Sequence, residues 1–324
     1  MMEVSIITIT YNQKEFVNDT IDSCLKQTFD KDKYEIIISD DGSTDGTQEI
    51  IQEYANKYKN IVPLLSKENT GIANNANRAL AVAKGKYLAL LSGDDIMLPK
   101  KIETQVEYLK KNDDVIGCSH DMEVFNSETN QKIAKSSELL CSRKIPNKMG
   151  IEFFFDHSIA LIPSAMMMKR AYVPKNGFNT HLKYANDYLF DIEVFVQGKL
   201  GYIDQVHGRY RKHDQQVSNI SKKEEDFEES MVVFGIVLAR YPQLYKLVTK
   251  HKSSMILSNI VHAIKTGKRE RALSLSKYLI INGHYIKGFF GFLIIIFLTK
   301  KMIEAVYKSK KFTNIKFFWR KYIL

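Results

Sequence analysis

Two adjacent carboxylates, Asp94 and Asp95, close the apolar run of LALLSGDDIMLPKK. Side by side at the end of a buried strand, they have two readings. One is a turn whose backbone needs polar partners. The other is a divalent-cation site, because carboxylate oxygens are hard ligands that suit Mg²⁺ or Mn²⁺. A second pair, Asp40-Asp41, follows YEIIIS and opens DDGSTDGT. There too the residues are turn formers, while a strand-end Asp also accepts hydrogen bonds from a nucleobase N–H or from ribose hydroxyls. A third acid, Asp187, stands in ANDYLFDIE, with Asp191 one helical turn later. An exposed helix acid is the bland reading, and a general base is the chemical one. YRKHDQQVS adds Tyr210, Arg211, His213 and Ser218. It reads either as a basic loop or as a phosphate and metal contact, since imidazole ligates metals and imidazolium donates to phosphate. Neither GxGxxG nor GxxxxGK[ST] occurs, so a dinucleotide fingerprint and a P-loop are unsupported.

These residues need a scaffold that carries them to one place. Strand signals at Val4–Thr10, Tyr34–Ser39, Ile61–Leu65 and Tyr87–Leu91 alternate with helix signals at Lys14–Gln27, Thr47–Tyr58 and Gly71–Ala83. Continuous apolar runs between helices indicate a buried, mostly parallel sheet and an α/β fold. In such sheets ligands bind beyond the carboxyl ends of the strands. Tyr11-Asn12, Asp40-Asp41 and Asp94-Asp95 all follow strands at that edge. A helix is expected over Lys101–Asn112 and a strand near Val115–Ser119. The segments Phe153–Phe155 and Ala165–Lys169 fit helix or strand equally. After Ser221 the pattern is mostly helical.

Composition narrows the class. The 324 residues suffice for one large domain or two modest ones, and 44% hydrophobic content is that of a globular chain. The formal charge of +10 suits polyanions, anionic lipid or phosphorylated substrates. Cys24, Cys118 and Cys141 are odd in number and widely spaced, so a reducing, cytoplasmic setting is expected rather than a disulfide framework. MMEVSIITITYN reads as a first strand, not a signal peptide.

VSIITITYN, YEIIISDDGSTDGT, ENTGIANNANRAL, AKGKYLALLSGDD, GFNTHLKYANDYLF and YRKHDQQVS occur in the order found in family 2 glycosyltransferases, and the chain resembles that family over about residues 3–220. The resemblance implies a GT-A fold: a Rossmann-like sheet with a nucleotide-sugar half over 1–100 and an acceptor half over 101–220, which the helical pattern extends with a C-terminal region over 221–324. It also implies inverting transfer from a nucleoside-diphosphate sugar, with UDP the expected carrier, to a glycan or lipid-linked acceptor. Thr8, Tyr11 and Asn12 resemble the first-strand loop that touches the nucleotide, and Asp41 the residue that reads the base. Asp94-Asp95 resembles the DxD-type motif, with Asp94 toward ribose and Asp95 toward a Mg²⁺ or Mn²⁺. Ser92 replaces the acid that often leads this motif. Asn186-Asp187 stands where the family usually has Glu-Asp, so Asp187 is expected to be the general base and Asp191 its competitor. The His213 segment is expected over the pyrophosphate, with Arg211 on the donor and His213 a third metal ligand. Asn77 matches a family Asn at the donor, but Ala76 replaces the basic residue usually before it. Either Arg78 or Lys67 is then left to meet phosphate.

Two alternatives to an enzyme of this kind are weaker. A sugar nucleotidyltransferase would have a Gly-rich, Arg-containing N-terminal loop, which VSIITITYNQKEF lacks. A non-catalytic, nucleotide-sugar-binding relative would be expected to have lost Asp95 or Asp187. At the other end, GFFGFLIIIFLT (288–299) is too short to span a bilayer as a helix. The next 25 residues carry eight Lys or Arg, one acid (Glu304) and six interleaved aromatics. That composition fits a buried helix followed by a tail, or peripheral contact with an anionic membrane at its inner face. No nucleic-acid module is present.

Overall fold

The structure, a computed structural model, describes residues 2–140, 144–157, 161–214, 216, 223–285 and 287–288. The chain begins with β1 (Val4–Thr10), α1 (Val17–Leu25), β2 (Tyr34–Asp40), α2 (Thr47–Lys57), β3 (Ile61–Leu65), α3 (Ile72–Val82) and β4 (Tyr87–Ser92). β1 lies at the centre and pairs in parallel with β2 on one side and β4 on the other. β3 extends the parallel set beyond β2. β1, β2 and β4 are buried almost throughout, as strands of a parallel sheet covered on both faces are. The chain runs outward from β1 to β3 and then crosses back to β4, so the carboxyl ends of β1 and β4 flank a switch point, where such sheets take ligands.

The second half is less regular. It contains β5 (Ile96–Met97), α4 (Lys101–Lys111), β6 (Val115–Asn126), β7 (Lys132–Lys135), α5 (Ser136–Leu140), β8 (Lys148–Met149), α6 (Ile151–His157), β9 (Met166–Lys169), α7 (Asn186–Phe195) and β10 (Lys199–Lys212). The sheet order is β3-β2-β1-β4-β9-β6-β10-β5, with β7 added to β6 and β8 to β10. β9 runs antiparallel between β4 and β6. This resolves the two undecided segments: Phe153–Phe155 is helical within α6, and Met166–Lys169 is a strand. Met166, Met167 and Met168 are all buried, so no polar alternation marks them as one.

β10 is the element whose length departs most from its sequence signal. Its register on β6 slips at Ile203 and again at Val206, which breaks the two-residue repeat. It nevertheless delivers Tyr210, Arg211 and Lys212 on a strand rather than in a loop.

By contacts the chain divides into two compact units, Met1–Val233 and the residues from Phe234 onward. α8 (Lys223–Arg240) contributes to both. In the second unit α9 (Tyr245–Lys265) buries Val248, Ile256, Ile260 and Val261, and α10 (Arg269–Ile281) buries Ala272 and Leu279. No single helix among the described residues is long and apolar enough to cross a membrane. Cys141, Ser218 and the basic aromatic tail expected to meet membrane lie outside the described residues.

Before β4, Glu35 is buried and its carboxylate accepts from Ser5 Oγ (2.6 Å) and from Lys84 N (2.8 Å), while Ser5 Oγ accepts from Gly85 N (2.8 Å). A Cβ on Gly85 would sit 2.3 Å from Ser5 N and 2.6 Å from Val4 C, both backbone atoms. Gly85→Ala should therefore lower the unfolding free energy by about 1–3 kcal/mol, read by urea denaturation. An unchanged midpoint would mean that β1 and β4 can part at no cost.

Candidate functional site

The turn after β4 starts with a glycine for steric reasons. Gly93 N donates to Ile9 O at 2.9 Å, and a Cβ there would lie 2.4 Å from Gln13 Oε1 and 2.7 Å from Thr10 Cβ. The close approach draws the next two residues against β1 and α1. Thr20 Oγ1 lies 2.9 Å from both Gly93 O and Asp95 O. Asp95 is wholly buried. One carboxylate oxygen accepts from Arg211 N at 2.9 Å and the other from Ser164 Oγ at 2.5 Å. Burial, and then the neighbouring Asp94 charge, push its pKa up to about 8.

Behind this acid lies a lysine that is also wholly buried. Lys101 Nζ donates to Ser164 O at 2.7 Å and reaches Leu90 O at 3.3 Å. Ser164 thus meets the lysine with its carbonyl and Asp95 with its hydroxyl. Burial lowers the Lys101 pKa to about 7, opposed by the Asp95 charge.

Asp94 faces the other way, with Oδ2 3.0 Å from His213 Nε2. The His213 ring packs 4.5 Å from that of Phe16. Arg211 braces the pair. Its Nε donates to Asp94 O at 2.8 Å and its Nη2 to Asp19 Oδ2 at 2.9 Å, while the guanidinium lies over the rings of Phe16 and Phe125. The structure therefore brings Asp94, Asp95, Arg211 and His213 together, and it turns the Arg211 guanidinium inward against protein.

The second acid pair divides its labour. Asp40 forms the turn: it accepts from Gly42 N, Ser43 N, Ser43 Oγ and Gln48 Nε2. Asp41 accepts from Thr70 N (3.1 Å), Thr70 Oγ1 (2.8 Å) and Gly71 N (2.8 Å), with Arg78 3.7 Å away. Asn12 has φ +50° and links the rims of two strands, its N donating to Ser43 Oγ and its Oδ1 accepting from Thr44 N. Tyr11 beside it is 45% exposed, whereas Thr8 is sealed within the sheet. Arg78 donates to Ser39 Oγ, Asp40 O and Asn75 Oδ1, so it ties strand ends. Asn77 is directed elsewhere: its amide both donates to Phe178 O (2.8 Å) and accepts from Phe178 N (2.7 Å).

Asp187 lies in the first turn of α7, with Oδ1 accepting from Tyr188 N at 2.7 Å. The residue keeps an exposed face, yet protein around its carboxyl raises the pKa. Its acidic neighbours are Asp191 and Asp226 rather than the Asp94-Asp95 pair. Burial, and then the Asp187 charge, hold Asp191 well above the carboxylate range.

Among the described residues, no three His, Cys, Asp or Glu groups are arranged to hold a metal by themselves. Asp94 and His213 offer a hard oxygen and an imidazole nitrogen 3.0 Å apart, while Asp95 beside Asp94 has both carboxylate oxygens already accepting, from Arg211 N and Ser164 Oγ. That chemistry fits a Mg²⁺ or Mn²⁺ whose remaining ligands are waters and phosphate oxygens. Lys101 and Ser164 were not singled out from sequence. Ser164 has no local signal, but Lys101 has one. It shares the apolar face of α4 with Ile102, Gln105, Val106 and Leu109, a position where a lysine has to be buried.

Residues 5–177 match the family model described as glycosyl transferase family 2. An uncharacterized glycosyltransferase of Haemophilus influenzae is 30% identical over 297 residues, spanning 88% of this chain and 90% of the relative. S. aureus TarS 1-349 in complex with UDP-GlcNAc superposes with a TM-score of 0.63 at 18% identity, over 99% of this chain and 89% of that one. A mannosyltransferase from Pyrobaculum calidifontis in complex with GDP-Man and Mn²⁺ superposes with a TM-score of 0.57 at 14% identity, over 98% of this chain and 85% of that one. The fold is that of the GT-A glycosyltransferases.

A raised pKa means that Asp95 still carries its proton below about pH 8 when no cation is bound. A cation binding at Asp95 would have to displace that proton, so its affinity would rise with pH until Asp95 ionises unaided and be flat above that. Titrating Mn²⁺ together with UDP should show affinity rising by up to about tenfold per pH unit as pH 8 is approached. A flat profile would show that Asp95 is already charged in the free protein.

Proposed function

The chain belongs to glycosyl transferase family 2, and from that premise we propose that it moves a sugar from a nucleoside-diphosphate donor, UDP-linked, to a hydroxyl of a glycan or lipid-linked acceptor with inversion at the anomeric carbon. It is a glycosyltransferase; the donor, the acceptor and the residue roles are our reading. The observation that carries it is the gathering of Asp94, Asp95 and His213 at the carboxyl edge of the sheet, beside the β1 and β2 loops.

On this reading the exposed Tyr11 ring and the Asn12 loop wall the nucleoside, and Asp41 anchors the floor beneath the base. Asp94 faces ribose. Asp95 and His213 hold Mg²⁺ or Mn²⁺, a reading supported by the Pyrobaculum mannosyltransferase having been solved in complex with GDP-Man and Mn²⁺. When bound, the ion supplies positive charge against the diphosphate as it leaves. Arg211 and Asn77 act on the donor indirectly, Arg211 by bracing the acids and Asn77 by holding the Phe178 segment.

Asp187 takes the proton of the acceptor hydroxyl as that oxygen attacks. Asp187 is favoured over Asp191 because it is the more exposed of the two and so open to an acceptor hydroxyl, while both acids have raised pKa values. A lipid-linked acceptor would place the chain at the inner face of the membrane, consistent with the basic aromatic composition of residues 300–324.

Calorimetry of UDP and GDP, with and without Mn²⁺, tests the donor site. UDP should bind more tightly with Mn²⁺, and Asp95→Ala should remove that gain. Metal-independent binding of both nucleotides would sink the cation assignment. Asp187→Asn should leave UDP·Mn²⁺ binding intact while transfer falls by about 10² or more. A comparable loss in Asp191→Asn alone would move the base to Asp191.

A further inference from the structure

α7 carries Asp187 in its first turn, where Asp187 Oδ1 accepts from Tyr188 N, but its N-cap residue provides no side-chain acceptor. The residue at its N-cap is Ala185, which has nothing to offer. The first N–H groups of a helix need acceptors. Here a carboxylate from another element serves the N–H groups leading into the helix. Glu229, on α8, accepts from Lys183 N at 2.9 Å with one oxygen, and from Tyr184 N (2.7 Å) and Ala185 N (2.9 Å) with the other. Three successive backbone donors converge on one side chain more than forty residues downstream. An anion at that end is also favoured by the helix dipole.

The approach to α7 is pinned at its other end as well. Asn77 clamps the Phe178 backbone, and the Phe178 ring stacks on Phe190 of α7 with centroids 4.0 Å apart and planes 5° from parallel. The stretch from 178 to 185 therefore hangs between Asn77 and Glu229, and Asp187 follows two residues after the second anchor. Glu229 belongs to the first compact unit, which ends at Val233.

We propose that Glu229 is a positioning residue for Asp187: it fixes the start of α7 and so aims the carboxylate that accepts the acceptor's proton. The first turns of α8 are then part of the catalytic unit, although the family match stops at residue 177. Glu229 touches no reacting atom. This rests on the assignment of Asp187 as general base, and the experiment separates the two.

Glutamine at this site keeps size and shape but sets an NH₂ group against backbone N–H donors. In Glu229→Gln, amide exchange over residues 183–188 should accelerate by about tenfold or more, with the strands unchanged. Calorimetric UDP·Mn²⁺ affinity should stay at the wild-type value. Nucleoside diphosphate release is followed from UDP-GlcNAc, UDP-glucose and GDP-mannose with Mn²⁺, using whichever the wild type turns over. It should fall by about tenfold or more, since a displacement of about 1 Å can cost 10²-fold. In an Asp187→Asn background the same change should add no further loss, because it acts through Asp187. Glu229→Asp, which keeps the charge and shortens the reach, should give smaller effects in the same direction and serves if the glutamine variant does not fold. Unchanged exchange at 183–188 overturns the inference, and so does a full additional loss on top of Asp187→Asn. If Asp187→Asn turns over at the wild-type rate, the base assignment fails while the exchange result still judges the anchor. If the wild type releases no diphosphate from any donor, the transferase reading suffers, and exchange alone decides the role of Glu229.

Discussion

Burying a carboxylate as completely as Asp95 costs several kcal/mol unless its oxygens find donors and its charge finds a partner. A second acid next to it in the chain raises that cost. The local architecture answers this with parts drawn from four regions. β10 supplies the Arg211 amide and, through its side chain, a strut to the Asp94 carbonyl. The turn before β9 supplies the Ser164 hydroxyl. α4 supplies the Lys101 ammonium behind it. α1 supplies Thr20 and the Phe16 ring, which hold the turn and the imidazole in place. Without an added cation the acids remain undercompensated, which is what the raised Asp95 pKa expresses.

How much of this was legible in the sequence follows from how local each cause is. The parallel core and the rim of acids were legible because an apolar run ended by Asp or Asn is a contiguous signal. The sequence left both acid pairs open between turn and ligand, and the structure divides the first of them by residue. Asp40 is the turn former with four donors around it, and Asp41 is the one set against a neighbouring helix. β10 was not legible as a long strand because its bulges interrupt alternation. Ser164 and Glu229 could not be found at all. Their partners lie 69 and about 45 residues away, and nothing in their own neighbourhoods distinguishes a bracing Ser or Glu from a surface one.

The two acidic centres use one physical device, a carboxyl moved out of water, for opposite ends. At Asp95 desolvation favours any arriving cation, because ionisation is then repaid by coordination. At Asp187 it raises basicity in a group that keeps an exposed face, and under the proposed base role a carboxylate of raised pKa would pull more strongly on a hydroxyl proton. The devices differ in what holds them. Asp95 sits in the turn after β4, where Gly93 N to Ile9 O, Thr20 Oγ1 to Asp95 O and Arg211 Nε to Asp94 O fix the backbone. Asp187 sits on a helix end, where orphan N–H groups would let the first turn fray. A base there needs an external acceptor to be as well placed as Asp95. Asn77 and Glu229 hold the segment that leads into α7 from outside the helix.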